Sequence, residues 1–173
     1  MKKIIFLLVL MISFTSCNSS KNVVTRKSRT TKTTNRTATA SKNISSKEIK
    51  NIIDYAQTFE GTRYKYGGTT KRGMDCSGLV VTAFSKENVT LPRTTGDLST
   101  RGDWIDVKDV QEGDLLFFAT SKNNRSVNHV GIVTNSRPGY VEFIHSTTSR
   151  GVITSKLSER YWYLAYVQAR RVM

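Results

Sequence analysis

The 173-residue sequence predicts an α+β fold, with N-terminal helices packed on a largely antiparallel sheet of five to six strands. Three observations carry this. Apolar residues recur at helical spacing over Ile49–Phe59 and again over Leu79–Phe84. From Asp103 onward the period drops to two, in short apolar runs separated by turn residues. Helices come first and strands follow in sequence, which is the order of an α+β domain and not of an alternating parallel sheet.

Each element has a local reason. Ser45 and Glu48 have capping-box spacing at the head of the first helix. Its buried face is Ile49, Ile52, Ile53, Ala56 and Phe59, and Gly61 ends it. Gly67, Gly68 and Gly73 make Thr62–Met74 a loop with strained turns. The second helix starts at Cys76 with Asp75 as N-cap, and Leu79, Val80, Ala83 and Phe84 form its buried stripe. Leu91–Thr95 reads as an extended stretch entering a short helix. Strands are predicted at Asp103–Val107, Leu115–Ala119, His129–Thr134, Tyr140–Ile144, Gly151–Ile153 and Leu164–Ala169. Glu112–Gly113–Asp114 turns the chain into the second strand, and Lys122–Ser126 is a polar loop before the third.

The net charge of +14 is unevenly placed. Of the 27 Lys and Arg, ten lie at or before Lys47, where there is no acid; the other 17 share the remainder with all 13 acids. The excess belongs to a tail, which argues against a nucleic-acid-binding domain and suits any polyanion, including lipid headgroups. Met1–Ser16 reads as an export signal: Lys2 and Lys3 supply the positive start, Ile4–Phe14 a short apolar run, and Thr15 and Ser16 the small residues before Cys17. That arrangement resembles a bacterial lipobox, which implies a lipidated Cys17, with palmitate among its acyl chains, as the mature N-terminus. The next thirty residues, Asn18–Lys47, hold thirteen Ser or Thr and almost no large apolar side chain, too little to offset the entropy of ordering. The expected organisation is a signal over 1–16, a lipidated Cys17 and flexible basic tether over 17–45, and a folded domain over 46–173. The two cysteines leave a Cys17–Cys76 disulfide open in an oxidising compartment, although each has a separate explanation.

Asp75–Cys76–Ser77–Gly78 is the segment richest in chemistry. A cysteine at a helix N-terminus meets unpaired N–H groups and the positive end of the helix dipole, which favour a thiolate. Gly78 would let a substrate backbone approach. The plainer alternative is a buried structural cysteine, the commoner fate of a lone one, against which the polar and small neighbours argue. A nucleophile needs a base, and the chain has two histidines. His129 opens an apolar strand, with Gly131 on the same face leaving room for a packed helix terminus. His145 ends the next strand. One cysteine and two histidines so placed fit a nucleophile, a base and an orienting group. A zinc site from Cys76, His129, His145 and a carboxylate is a weaker alternative, because close ligand pairs are missing. Tyr64 and Tyr66 are either half-buried loop aromatics or, for one of them, an oxyanion donor beside the backbone N–H of Cys76.

The segments Gly61–Gly68 (G-T-R-Y-K-Y-G-G), D-C-S-G-L-V, L-P-R-T-T, E-G-D-L-L-F-F, N-H-V-G-I-V and the terminal Y-W-Y-L-A-Y-V-Q-A-R-R together resemble the NlpC-type cell-wall cysteine peptidases, and within them the murein endopeptidase lipoproteins. The resemblance runs from about Ser46 to Met173. It implies a papain-like fold with no metal or organic cofactor. It implies Cys76 as nucleophile, His129 as base, His145 as the group orienting His129, and Tyr64 as an aid to the oxyanion. Asp75, Ser77 and Arg93 would line the substrate groove. The implied substrate is a peptidoglycan stem peptide, and the favoured bond is the D-alanyl–diamino acid cross-link. The γ-D-glutamyl–diamino acid bond within a stem is the alternative. The implied setting is the cell envelope: a monomer anchored to a membrane through Cys17, expected at the outer membrane facing the periplasm, with no nucleic-acid partner. A transferase or amidase on another acyl substrate, and a non-catalytic wall-binding lipoprotein, are the competing readings. An intact Cys/His/His set disfavours the second.

Overall fold

The structure, a computed structural model, describes residues 45–122 and 125–173. The expected signal, Cys17 and nearly all of the tether fall outside the described residues, as do two positions of the polar loop before His129.

Helix α1 (Ser46–Gln57) starts with the expected capping box: the Ser45 side chain accepts from the Glu48 N–H, and the Glu48 carboxylate accepts from the Ser45 N–H at 2.8 Å. It ends at Gln57, and turns carry the chain to Gly61, whose φ of +77° suits glycine. The glycine-rich loop contains a short hairpin, β1 (Thr69–Thr70) with β2 (Gly73–Met74). Helix α2 (Cys76–Ser85) follows at once, and the Asp75 side chain caps it by accepting from the Gly78 N–H. Helix α3 is a single turn, Thr95–Leu98, capped by Thr94.

Six strands make one antiparallel sheet in the order β3-β8-β4-β5-β6-β7. They are β3 (Asp103–Ile105), β4 (Leu115–Phe118), β5 (His129–Arg137), β6 (Tyr140–Thr147), β7 (Gly151–Lys156) and β8 (Tyr166–Arg171). Leu115–Phe118 is apolar throughout because both faces of β4 are covered. Leu115 and Phe117 pack with α1 and α2 residues such as Ile52, Leu79 and Phe84, while Leu116 and Phe118 face Phe143, Trp162 and Ala169.

Three expectations need correction. Leu164 is not in a strand: Arg160–Ala165 forms a helix, α4, between β7 and β8, so the helices do not all precede the strands. The predicted strand Asp103–Val107 stops at Ile105, because Asp106 caps a 3-10 turn over Val107–Asp109. Strand β5 runs on to Arg137, as the hairpin continues through partly exposed polar residues to a turn at Gly139, φ +75°, and β6 runs on to Thr147 because it stays paired with β7 as far as Gly151, so His145 lies within its strand and does not end it.

Candidate active site

Helix α2 packs against β5, which brings the Cys76 end of the helix to the start of the strand that carries His129. A second tie lies beside it: the Ser146 hydroxyl of β6 donates to the Met74 carbonyl at 2.7 Å, fixing the chain just before Cys76 to the strand of His145. Cys76, His129 and Tyr64 line one cavity of about 420 Å³. Cys76 and Tyr64 also line a second, of about 310 Å³, with Asp75, Ser77, Arg93 and Thr95. Asn128 borders both, so the thiol sits between two adjacent halves of a groove.

His129 Nε2 and His145 Nδ1 are 2.9 Å apart, and His145 Nε2 is 3.1 Å from the Ser155 hydroxyl. The geometry comes from the sheet. Ile132 stands opposite Ile144, which sets Gly131 beside His145. A Cβ on Gly131 would meet Phe143 at 2.6 Å and the His145 Cβ at 3.1 Å. The glycine therefore makes room for β6, not for a helix terminus. Trp162 of α4 covers both imidazoles: its ring stacks on His129 (centroids 5.4 Å, 21°) and meets His145 edge-on (4.5 Å, 80°).

Burial governs the titration of all three groups. It lowers His129 from 6.5 to about 4. His145 falls to about 2, through burial first and then the neighbouring His129 and Arg150. Burial, and to a lesser degree the Asp75 charge, also push the Cys76 thiol up, although the Thr95 hydroxyl and the Val130 and Ser77 N–H groups act in the other direction. These three donors do not offset the loss of water around a residue only 8% exposed. The helix terminus, expected to favour a thiolate, is thus opposed by burial. Thiol and imidazoles are neutral near pH 7. The Thr95 hydroxyl lies 3.7 Å from the sulfur.

Asp75, Ser77 and Arg93 form one network at the groove. Arg93 donates to the Ser77 hydroxyl at 2.7 Å and to Asp75 at 2.8 Å, while Asp75 also accepts from the N–H groups of Gly78 and Gly67 at 2.6 Å each. Burial works to raise the Asp75 pKa, but the Arg93 guanidinium and those two N–H groups outweigh it and hold the carboxyl below its ordinary value. Asp75 and Ser77 are buried, and Arg93, more open, reaches the groove. Gly78 serves this packing. A Cβ there would lie 2.1 Å from the Gly68 carbonyl oxygen, so its bareness admits the Gly67–Gly68 turn and not a substrate. Tyr64 is bridged to Met74 in the backbone, one residue before Asp75. Its phenol is raised by burial and then by the Cys76 and Asp75 charges, so it stays a proton donor at neutral pH.

Thr95, Ser155 and Trp162 were not singled out from the sequence. Thr95 lies in L-P-R-T-T and Trp162 in Y-W-Y-L-A, so the motifs could have flagged both; Ser155 has no local signal. Among the described residues, no group of three or more His, Cys, Asp or Glu is arranged to hold a metal ion.

The chain resembles several known proteins. The chain is 41% identical over 125 residues to the probable endopeptidase NlpC of Escherichia coli, covering 72% of this chain and 78% of that one. It is 37% identical over 123 residues to the murein DD-endopeptidase MepS/murein LD-carboxypeptidase of Escherichia coli K12, covering 70% of this chain and 62% of that one. The crystal structure of a lipoprotein-like NLP/P60 protein from Staphylococcus aureus superposes with a TM-score of 0.65 at 32% identity, over 79% of this chain and 45% of that one. The profile of the NlpC/P60 family matches residues 61–171, and the chain belongs to that family.

Proposed function

We propose that this chain is a cysteine peptidase that hydrolyses peptidoglycan peptides, with Cys76 as nucleophile and His129 as base. One observation carries the residue roles: His129 commits Nε2 to His145, which leaves Nδ1 as its one free ring nitrogen at a cavity it shares with the Cys76 thiol. The relatives' names support the substrate class.

Because thiol and imidazole rest neutral, proton transfer accompanies attack. Cys76 gives its proton to His129 Nδ1 as sulfur bonds to the substrate carbonyl carbon, and the resulting imidazolium donates from Nε2 to His145. The tetrahedral oxyanion is met by the Cys76 N–H and the Tyr64 phenol. Collapse breaks the C–N bond, and the His129 proton leaves with the amine. Water, deprotonated by His129, then cleaves the thioester and returns the thiol. Arg93, held by Asp75, offers positive charge and N–H donors to the bound peptide in the half-groove beside Tyr64.

We favour D,D-endopeptidase action on D-alanyl–diamino acid cross-links, for wall remodelling. Its support is the 37% identity to a protein named for that activity. Digesting purified cross-linked muropeptide dimers should yield intact tetrapeptide monomers as the main product, identified by mass spectrometry. Dipeptide-bearing sugars with released diamino-acid fragments would place the cut within the stem.

We also propose lipidation at Cys17, anchoring the enzyme to the outer membrane on its periplasmic side. The lipobox-like residues before Cys17 support it. Labelled palmitate should enter the native chain and not Cys17→Ser, and equal labelling would overturn the anchor.

A further inference from the structure

The mechanism above needs His129 with Nδ1 bare, and two hydrogen bonds decide whether it is. A neutral imidazole carries one N–H. The bond between His129 Nε2 and His145 Nδ1, at 2.9 Å, and the bond between His145 Nε2 and Ser155 Oγ, at 3.1 Å, must therefore run in the same direction. If His145 donates to Ser155, its Nδ1 is bare and accepts from His129. That leaves His129 Nδ1 free to take the thiol proton. If the Ser155 hydroxyl donates instead, both rings reverse, His129 carries its proton on Nδ1, and the base is blocked.

We propose that Ser155 is a positioning residue: by accepting from His145 Nε2, it sets the proton direction through both histidines and keeps His129 Nδ1 open. The proposal rests on the Cys76–His129 reading. Ser155 stands opposite Phe143 in the β6–β7 register, and so shares a face with His145 as its diagonal neighbour. Ser155 is 4% exposed and His145 fully buried, so bulk water does not substitute for the hydroxyl. The rings of Phe143 and Trp162 also surround His145, the Arg150 charge acts on it without a hydrogen bond to either ring nitrogen, and the nearby Ser146 hydroxyl is spent on Met74. Among the described residues, Ser155 is the one side chain bonded to His145 Nε2. The same direction is needed after proton transfer. A His129 imidazolium donates from both nitrogens, so His145 Nδ1 must accept, and its Nε2 proton must again find Ser155.

The direct test is the tautomer of His145, read from ¹⁵N-resolved imidazole spectra of the full chain near pH 7. The native protein should carry the His145 proton on Nε2. Ser155→Ala should show the Nδ1-protonated form appearing, with kcat reduced about ten-fold or more and KM little changed, as expected when a buried N–H loses its acceptor. Ser155→Thr, which keeps the hydroxyl, should restore both. A native His145 protonated on Nδ1, or an unchanged kcat in folded Ser155→Ala, overturns the proposal. If Ser155→Ala does not fold, the native spectrum decides. Turnover surviving in Cys76→Ala would instead end the peptidase reading, whatever the spectra show.

Discussion

Cys76→Ala and His129→Ala should each lower turnover of muropeptide dimers by about four orders of magnitude or more, and the double variant should be little worse than either alone. Residues that act as one unit are lost together, so their effects do not add. Additive losses, or near-normal turnover in Cys76→Ala, would refute the assignment. The wild-type pH profile is part of the same expectation. His129 must be neutral to act as a base, and burial lowers it to about 4. Activity that depends on it is present above that value and lost as pH falls through it. An ordinary exposed imidazole would fail nearer 6.5. The acid limb of kcat/KM should thus lie well below 6, and a limb at 6.5 would contradict a buried neutral base. A chelator should leave the rate unchanged; inhibition reversed by zinc would revive the metal alternative.

Trp162→Ala should be the most damaging change outside that pair. The side chain is 5% exposed and fits among Phe118, Phe143 and both histidines. Removing so large a buried ring costs about 3–5 kcal/mol in comparable cores, a large share of the total stability of a single domain. Denaturant titration should show that loss. The variant should also change the chemistry. With water admitted beside the imidazole, the lowering of the His129 pKa should weaken, so the acid limb of kcat/KM should rise toward 6.5. Trp162→Phe, which keeps most of the apolar cover, should move both quantities less. A Trp162→Ala protein with native stability and an unmoved acid limb would mean that α4 merely sits on the surface.

The parts of the fold that could be read in the sequence are those whose cause is local. Ser45 with Glu48, and Asp75 before Cys76, are caps, and both helices begin where those residues place them. The alternation and turn glycines of the second half gave the strand cores, and the six-motif resemblance gave the papain-like family. Helix α4 was missed because its N-cap, Glu159, makes no side-chain capping bond, and Tyr161–Trp162–Tyr163 has strand-like composition. Gly78 and Gly131 were assigned to substrate and helix, whereas each accommodates a partner distant in sequence: the Gly68 carbonyl and the side chains of β6. Ser155 meets His145 only through strand register, which no local pattern encodes. That a helix end favours a thiolate at Cys76 can be read from a sequence, while the burial that opposes it comes only from packing.

That burial has a consequence for the life of the resting enzyme. Peroxides and alkylating agents attack the thiolate far more readily than the thiol, and oxidation beyond the sulfenic acid is irreversible or nearly so. A sulfur that keeps its proton, tucked between Thr95 and the Val130 backbone, offers such reagents little to react with. Deprotonation would then be deferred until a substrate fills the groove and His129 takes the proton during attack. The envelope setting proposed above would be one where disulfides form. A nucleophile that is chemically quiet between substrates would outlast one held permanently as an anion there.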